Sequence, residues 1–133
     1  DVTAAVTEFR RAGLVLAVVT GASAHGAETT LDKHRLHPHF STIVSGDDVI
    51  LSKPAPDCYR LALQRLGLQA SECLAIEDTQ SGLEAASGAG IRCLTVPTAM
   101  SRHHDFGRAE AVLDSMTQAV AYVRQLLRVQ DET

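Results

Sequence analysis

Apolar runs alternate with amphipathic segments along this chain, and this alternation predicts a β/α order. Short runs of mainly apolar residues indicate strands buried on both faces of a parallel sheet. They cover residues 14–19, 40–45, 74–76 and 93–96, and a shorter run at 111–113 predicts an edge strand. Segments with apolar residues at helical spacing predict helices. They cover residues 3–12, 24–34, 57–66, 79–88 and those from 115 onward. The pattern predicts an α/β domain with a parallel sheet.

Capping residues mark where several of the predicted helices begin and end. Thr3, Asp57 and Ser115 stand at helix starts, and Ser115 with Gln118 forms a capping box. Gly67 follows the third helix, where glycine accepts the left-handed conformation of a helix C-terminus.

The stretch CLAIEDTQSGLEAASGAG, which begins at Cys73, places two carboxylates at the end of a strand. Glu77 and Asp78 follow the apolar run directly, and Thr79 and Ser81 offer capping hydroxyls for the next helix. Ligands of open α/β sheets bind in the crevice at the carboxyl ends of the strands. The acidic pair is therefore a candidate for the functional site.

Composition limits the class of partner. The 133 residues are 45% hydrophobic and 21% charged, which is typical of one globular domain spanning residues 1–133. The net charge of −4 and the lack of a basic run argue against nucleic acid or an anionic membrane. Cys58, Cys73 and Cys93 form no CxxC pair and are expected to be reduced core thiols. No membrane-length apolar stretch or secretion signal is visible, so we expect a cytoplasmic protein.

Three further positions are candidates for the same site because of the predicted topology. Thr20 and Gly21 follow the first strand, and Lys53 lies in a loop stiffened by two prolines. Parallel right-handed connections bring these residues and the acidic pair to one edge of the sheet. A hydroxyl, a cation and two carboxylates there suit a phosphate together with Mg²⁺, which prefers carboxylate oxygens and often bridges to substrate phosphate.

Histidines and a second acidic pair offer a competing site. His34, His37 and His39 cluster around a proline, but their spacing fits no structural zinc pattern, so a solvated loop is the simpler interpretation. Asp47 and Asp48 follow a strand and are most simply turn and helix-cap residues.

Three segments, VVTGAS, SKPAPDCY and LAIEDTQSGLEAASGAG, resemble the second, third and fourth motifs of the haloacid dehalogenase-like hydrolases. The resemblance is to the branch that contains phosphoglycolate phosphatases and β-phosphoglucomutases. It implies a three-layer Rossmann-like core and transfer of a phosphoryl group from a small phosphorylated metabolite. It also implies that Thr20 and Gly21 bind the phosphoryl group and that Lys53 neutralises its charge. Asp78, with Glu77 beside it, is implied as the Mg²⁺ ligand.

The departure from that family concerns its first motif. A strand ending in Asp-x-Asp carries the nucleophile and the general acid in the family, but no such pair occurs in these 133 residues, and the helical cap is also missing. We therefore expect this chain alone to hydrolyse no phosphate ester. The chain starts at Asp1 rather than methionine, which suggests a processed or incomplete chain.

The resemblance implies that the missing strand lies centrally, between the strands at 14–19 and 74–76. A longer parent chain supplies it, or the flanking strands close up, or another chain inserts one by strand exchange or in a homodimer. A different hypothesis is a non-catalytic scaffold that binds a partner or a phosphorylated ligand. A receiver-like domain is disfavoured, because its acidic pair would follow the first strand. The substrate, and phosphatase against mutase, stay open.

Overall fold

The computed structural model describes residues 1–131, which form five strands and five α-helices that alternate, except that the fifth strand follows the fourth without a helix between them. The strands are β1 (Ala17–Val19), β2 (Thr42–Val44), β3 (Leu74–Glu77), β4 (Arg92–Thr95) and β5 (Ala111–Val112). The helices are α1 (Val2–Arg11), α2 (Ala24–Lys33), α3 (Asp57–Leu66), α4 (Gln80–Gly88) and α5 (Met116–Asp131). This order confirms the predicted β/α alternation.

The parallel sheet is divided into two parts. β1 pairs with β2, and β3 pairs with β4, which pairs with β5. Within the described residues β1 and β3 share no ladder, and a cavity of about 1140 Å³ lies between them. Its walls include Ala17, Leu74 and Ile76. The flanking strands therefore do not close up, which removes one of the three explanations for the missing central strand.

Helices cover both faces of the sheet, as predicted. Successive strand residues point to opposite faces, so Leu74 and Ile76 pack with α1 and α5, whereas Ala75 packs with α3 and α4. Helix α2 adds Leu31 to the first side, next to Val18 of β1. The architecture is three-layered, with one apolar core on each side of the sheet.

β1 and β2 begin later than the apolar runs that predicted them. Residues 14–16 and 40–41 lie outside β1 and β2, although Leu14 and Leu16 still pack against the cores. β3 extends one residue further than predicted and ends with Glu77, so Asp78 is the first residue beyond the strand. Glu77 therefore lies within the strand, whereas Asp78 lies in the turn after it.

Two predicted helix caps were wrong. The carboxylate of Asp1 accepts a hydrogen bond from the Thr3 N–H at 2.8 Å, so Asp1 caps α1 and Thr3 lies within it. Pro56 occupies the cap position of α3, and Asp57 is its first helical residue, where a negative charge still favours the helix N-terminus. Gly67 ends α3 with φ of 67°, which confirms its predicted role.

The cysteines lie in the cores. Cys58 and Cys93 are buried and Cys73 is partly buried, all as free thiols. Burial raises the pKa of the Cys93 thiol to about 12, so this group stays protonated near neutrality. Among residues 1–131, no helix combines the length and the apolar character that crossing a membrane would require.

Candidate phosphate and metal site

Lys53 connects the two parts of the sheet at their carboxyl edge. Its Nζ donates to the carbonyl oxygen of Val19 at 3.0 Å and to Glu77 Oε2 at 2.7 Å, with a longer contact of 3.2 Å to Glu77 Oε1. Val19 ends β1 and Glu77 ends β3. The ammonium group therefore bridges the two strands that border the cavity.

Glu77 is held on three sides. Besides Lys53, the hydroxyl of Tyr59 donates to Glu77 Oε2 at 2.6 Å. The carboxylate also lies against the first turn of α4, where a Cβ built on Gly82 would be 1.9 Å from Glu77 Oε1. Only 8% of the Glu77 side chain is exposed. Its position is fixed by an ion pair, a hydrogen bond and the missing side chain of a glycine.

Tyr59 is a site residue that the sequence did not reveal. It lies on α3 beside Cys58 and Ala62, whose apolar spacing hid it among core positions. Burial, followed by the nearby Glu77 carboxylate, raises the pKa of Tyr59 far above its ordinary value. Its hydroxyl is therefore a hydrogen-bond donor at any ordinary pH. The ring also lies 5.5 Å from Lys53 Nζ, within the range of a cation–π contact.

The turn after β1 is fixed by backbone contacts. Thr20 N donates to the Val44 carbonyl at 2.9 Å, and Thr20 Oγ1 accepts from Ala22 N at 3.1 Å. Gly46 approaches the same turn so closely that a Cβ there would lie 2.5 Å from the Gly21 carbonyl oxygen. Gly21 itself is exposed. The turn thus presents a preset hydroxyl and an accessible backbone to the cavity, as anion sites require.

Asp78 is the carboxylate free to meet a cation. It is exposed and, within residues 1–131, has no hydrogen bond or ion pair. The described residues contain no group of three or more His, Cys, Asp or Glu side chains that could hold a metal ion. Mg²⁺ is commonly bound by one or two carboxylates together with phosphate and water, so Asp78 fits a site shared with a phosphate. Both oxygens of Glu77 already accept hydrogen bonds, and its role as a ligand stays a prediction.

The cavity between β1 and β3 brings the predicted site residues together. All five line it: Thr20, Gly21, Lys53, Glu77 and Asp78. This placement follows from the parallel topology, because the carboxyl ends of β1 and β3 face the same edge.

The competing residues lie elsewhere and have structural partners. Asp47 Oδ2 accepts from Ala24 N at 2.8 Å, which helps to cap α2. Asp48 accepts from the backbone N–H of Ser45, and this hydrogen bond lowers the pKa of Asp48. These hydrogen bonds support the interpretation of this acidic pair as turn and helix-cap residues.

Comparison with known proteins identifies the family of this chain. A family model described as haloacid dehalogenase-like hydrolase matches residues 1–96, most of the chain. This chain belongs to the haloacid dehalogenase-like hydrolase family. The structure confirms the α/β fold that this family resemblance implied, with parallel strands and helices on both faces.

Individual members of this hydrolase family are similar over only part of their length. Protein CbbY from Cereibacter sphaeroides is 40% identical over 116 residues, covering 85% of this chain and 50% of the relative. Fructose-1-phosphate phosphatase YqaB from Escherichia coli is 38% identical over 81 residues, 61% of this chain and 43% of the relative. This chain spans about half the length of the curated relatives it matches.

Solved structures of the family superimpose well on this fold. CbbY from Rhodobacter sphaeroides in complex with phosphate gives a TM-score of 0.81 at 39% identity, covering 86% of this chain and 52% of that one. A putative β-phosphoglucomutase from Thermotoga maritima gives 0.82 at 27% identity, covering 92% and 57%. These likenesses support the assignment to the phosphatase and phosphoglucomutase-like branch.

Proposed function

We propose that this chain carries the phosphate-binding and metal-binding half of a Mg²⁺-dependent phosphoryl-transfer site. The observation that carries the proposal is the convergence of a hydroxyl, an exposed glycine turn, a lysine and two carboxylates on one cavity at the carboxyl edge of the sheet. Membership of the haloacid dehalogenase-like hydrolase family supports it.

Each side chain of the site has a separate role in this proposal. Thr20 Oγ1 and the backbone N–H of Gly21 bind oxygens of the transferring phosphoryl group, and Lys53 neutralises the charge that develops on them. Asp78 would hold Mg²⁺, which would supply positive charge to neutralise the phosphate oxygens. Glu77 keeps Lys53 in place and lies next to the metal position, where the family resemblance also gives it a metal role.

The nucleophile must come from a segment that fills the cavity between β1 and β3. An apolar strand parallel to both neighbours would satisfy their open edges, and an Asp-x-Asp pair at its end would lie beside Lys53. One aspartate attacks phosphorus and forms an aspartyl phosphate, the other protonates the leaving oxygen, and water then releases phosphate. A longer form of the chain, or another chain that contains such a strand, supplies it in our proposal.

A sugar phosphate is the substrate class that we favour. One CbbY structure at 39% identity is a complex with xylulose-(1,5)bisphosphate, and the YqaB relative is described as a fructose-1-phosphate phosphatase. The second candidate function is a non-catalytic scaffold that binds a partner or phosphorylated ligand. The lack of Asp-x-Asp in the 133 residues is the observation that favours it.

Phosphate binding tests the first part of the proposal. Titration of the full chain with inorganic phosphate, followed by NMR, should shift Thr20 and Gly21 amide signals, and added Mg²⁺ should tighten the binding. Lys53→Met should abolish the phosphate response and Asp78→Asn should remove the Mg²⁺ effect. Lys33→Met is the matched control, because the chain has two lysines and Lys33 is exposed on α2. Equal binding by the Lys53 and Lys33 variants would contradict the proposal.

Peptide complementation separates the enzyme from the scaffold. When a panel of sugar phosphates is tested, the chain alone should hydrolyse none of them above background. A synthetic peptide with an apolar strand followed by Asp-x-Asp-Gly-Thr should bind and give Mg²⁺-dependent turnover that Asp78→Asn abolishes. Turnover by the chain alone that Asp78→Asn abolishes would overturn the need for a second segment. Peptide binding without any turnover would favour the scaffold.

A further inference from the structure

Tyr59 directs its hydroxyl at the ion pair between Lys53 and Glu77. A buried tyrosine hydroxyl needs one acceptor, and here that acceptor is the same oxygen, Glu77 Oε2, that receives the 2.7 Å bond from Lys53. Tyr59 is 7% exposed and comes from α3, whereas Glu77 ends β3. Helix α3 and the loop that carries Lys53 thus fix one carboxylate oxygen from two directions.

Gly82 completes this arrangement from a third element. A Cβ there would be 1.9 Å from Glu77 Oε1 and 2.4 Å from Glu77 Cδ. Gly82 lies in the first turn of α4 and donates its N–H to the capping hydroxyl of Thr79 at 3.1 Å. The carboxylate therefore fits between Tyr59 and the helix only because position 82 has no side chain.

We propose that Tyr59 is a positioning residue, which fixes Glu77 and through it directs Lys53 toward the cavity, and that Gly82 provides the space for this carboxylate. The importance of this role for phosphate rests on the function proposed above for Lys53. An ammonium group has three donors. Val19 O and Glu77 Oε2 take the two shorter bonds, and the 3.2 Å contact to Oε1 is the one that a phosphate oxygen would replace.

Amine acylation measures the position of Lys53 without any need for turnover. The full chain is treated briefly with acetic anhydride, and mass spectrometry compares acetylation of Lys53 with that of the exposed Lys33 in the same sample. Lys53 should react more slowly in the native chain. Tyr59→Phe should raise the Lys53 to Lys33 ratio about tenfold, because it removes a hydrogen bond to a charged group. Tyr122→Phe, the matched change at the chain's other tyrosine, should leave the ratio unchanged.

Gly82→Ala approaches the same carboxylate from the opposite side and should also raise the ratio. Thiol reactivity of the buried Cys58 and Cys93 monitors folding in each sample. An unchanged ratio in both variants overturns the proposal. A rise that occurs only together with exposure of both thiols also overturns it, since loosening of the whole core would then explain the effect.

Inorganic phosphate separates this inference from the function on which it rests. In the native chain phosphate should slow acetylation of Lys53 but not of Lys33. If phosphate has no effect while Tyr59→Phe still raises the ratio, the positioning role stands and the phosphate function fails. If phosphate protects Lys53 and Tyr59→Phe changes nothing, the positioning role fails alone.

Discussion

Within residues 1–131, two glutamates each accept hydrogen bonds from both a tyrosine and a basic side chain. The first group, here called the buried triad, consists of Lys53, Glu77 and Tyr59. The second, the surface triad, consists of Arg92, Glu110 and Tyr122. The tyrosine to glutamate distances are 2.6 Å and 2.7 Å, so the local chemistry is nearly the same. The two triads differ in their exposure to water. The side chains of the glutamate and its cation are 8% and 16% exposed in the buried triad, but 22% and 53% exposed in the surface triad.

This difference in exposure changes what each triad can do. An exposed ion pair contributes about 0–1 kcal/mol to stability, because water and salt screen it. A buried pair costs several kcal/mol in desolvation, and its attraction offsets this cost only when the geometry is good. The buried triad is therefore an inefficient way to stabilise the fold but an effective way to fix a lysine at the edge of a cavity. The surface triad connects β4, the segment before β5, and α5, and its Arg92 begins β4, at the end of the strand opposite the carboxyl edge.

Removal of each glutamate should give the largest contrast between the triads. Glu77→Ala leaves the ammonium of Lys53 largely buried with only a carbonyl partner, and we expect a loss of about 3 kcal/mol in the free energy of unfolding. Glu110→Ala leaves a guanidinium that water can solvate, and its cost should stay below about 1 kcal/mol. Urea denaturation of both variants measures the two losses. Equal losses would show that burial does not distinguish the triads.

Two glycines at the same helical position provide the second contrast. Gly82 in α4 and Gly26 in α2 are each the third helical residue, and each donates its N–H to a capping hydroxyl at 3.1 Å. A Cβ at Gly26 would lie 3.2 Å from Ser23 Oγ, whereas one at Gly82 would overlap the Glu77 carboxylate.

Gly82→Ala should therefore cost about 2 kcal/mol, since the carboxylate must leave its charged hydrogen bonds while the helix gains less from alanine than it loses. Gly26→Ala should change stability by less than about 1 kcal/mol in either direction. Thermal unfolding measures both effects. A Gly82→Ala chain as stable as the Gly26→Ala chain would show that Glu77 moves without cost, and the buried triad would then not be rigid.

The sequence predicted the polar and charged residues of this candidate site, but not Tyr59 and Gly82, which contact Glu77. Thr20, Lys53 and Asp78 could be found because polar residues after apolar runs must meet at one edge of a parallel sheet. Tyr59 could not be found in this way, because it lies among apolar positions of α3 and acquires its partner only when that helix packs on β3. Gly82 has only an ordinary helical position in the sequence, and its role depends on a carboxylate five residues earlier turning back toward the helix.

The division of the sheet was also only partly predictable. The missing central strand could be inferred from the absent first motif, but whether β1 and β3 would meet depends on the balance between strand pairing and helix packing. Helices on both faces hold the two parts at their separate positions, and Lys53 spans them at one end. Local sequence patterns contain no information about such a balance, since every group involved is distant along the chain.

Alkaline titration gives the smallest and most specific contrast. Burial raises the folded-state pKa of Tyr59, whereas the hydrogen bond to Glu110 raises that of Tyr122 by a smaller amount. A raised pKa means that the folded chain keeps its proton while the unfolded chain loses it above pH of about 10. The stability that each tyrosine contributes is thus complete below that pH and is lost as the pH rises.

Between pH 9 and pH 11 the native chain should therefore lose about 1.4 kcal/mol more stability than the Tyr59→Phe chain. The corresponding difference for Tyr122→Phe should be smaller, because the surface triad shifts its tyrosine less. Urea denaturation at several pH values measures both slopes, and comparison with each phenylalanine variant cancels the titration of the lysines and cysteines. Identical slopes for the native and Tyr59→Phe chains would mean that the hydroxyl reaches water, and the buried triad would then differ from the surface triad only in its charges.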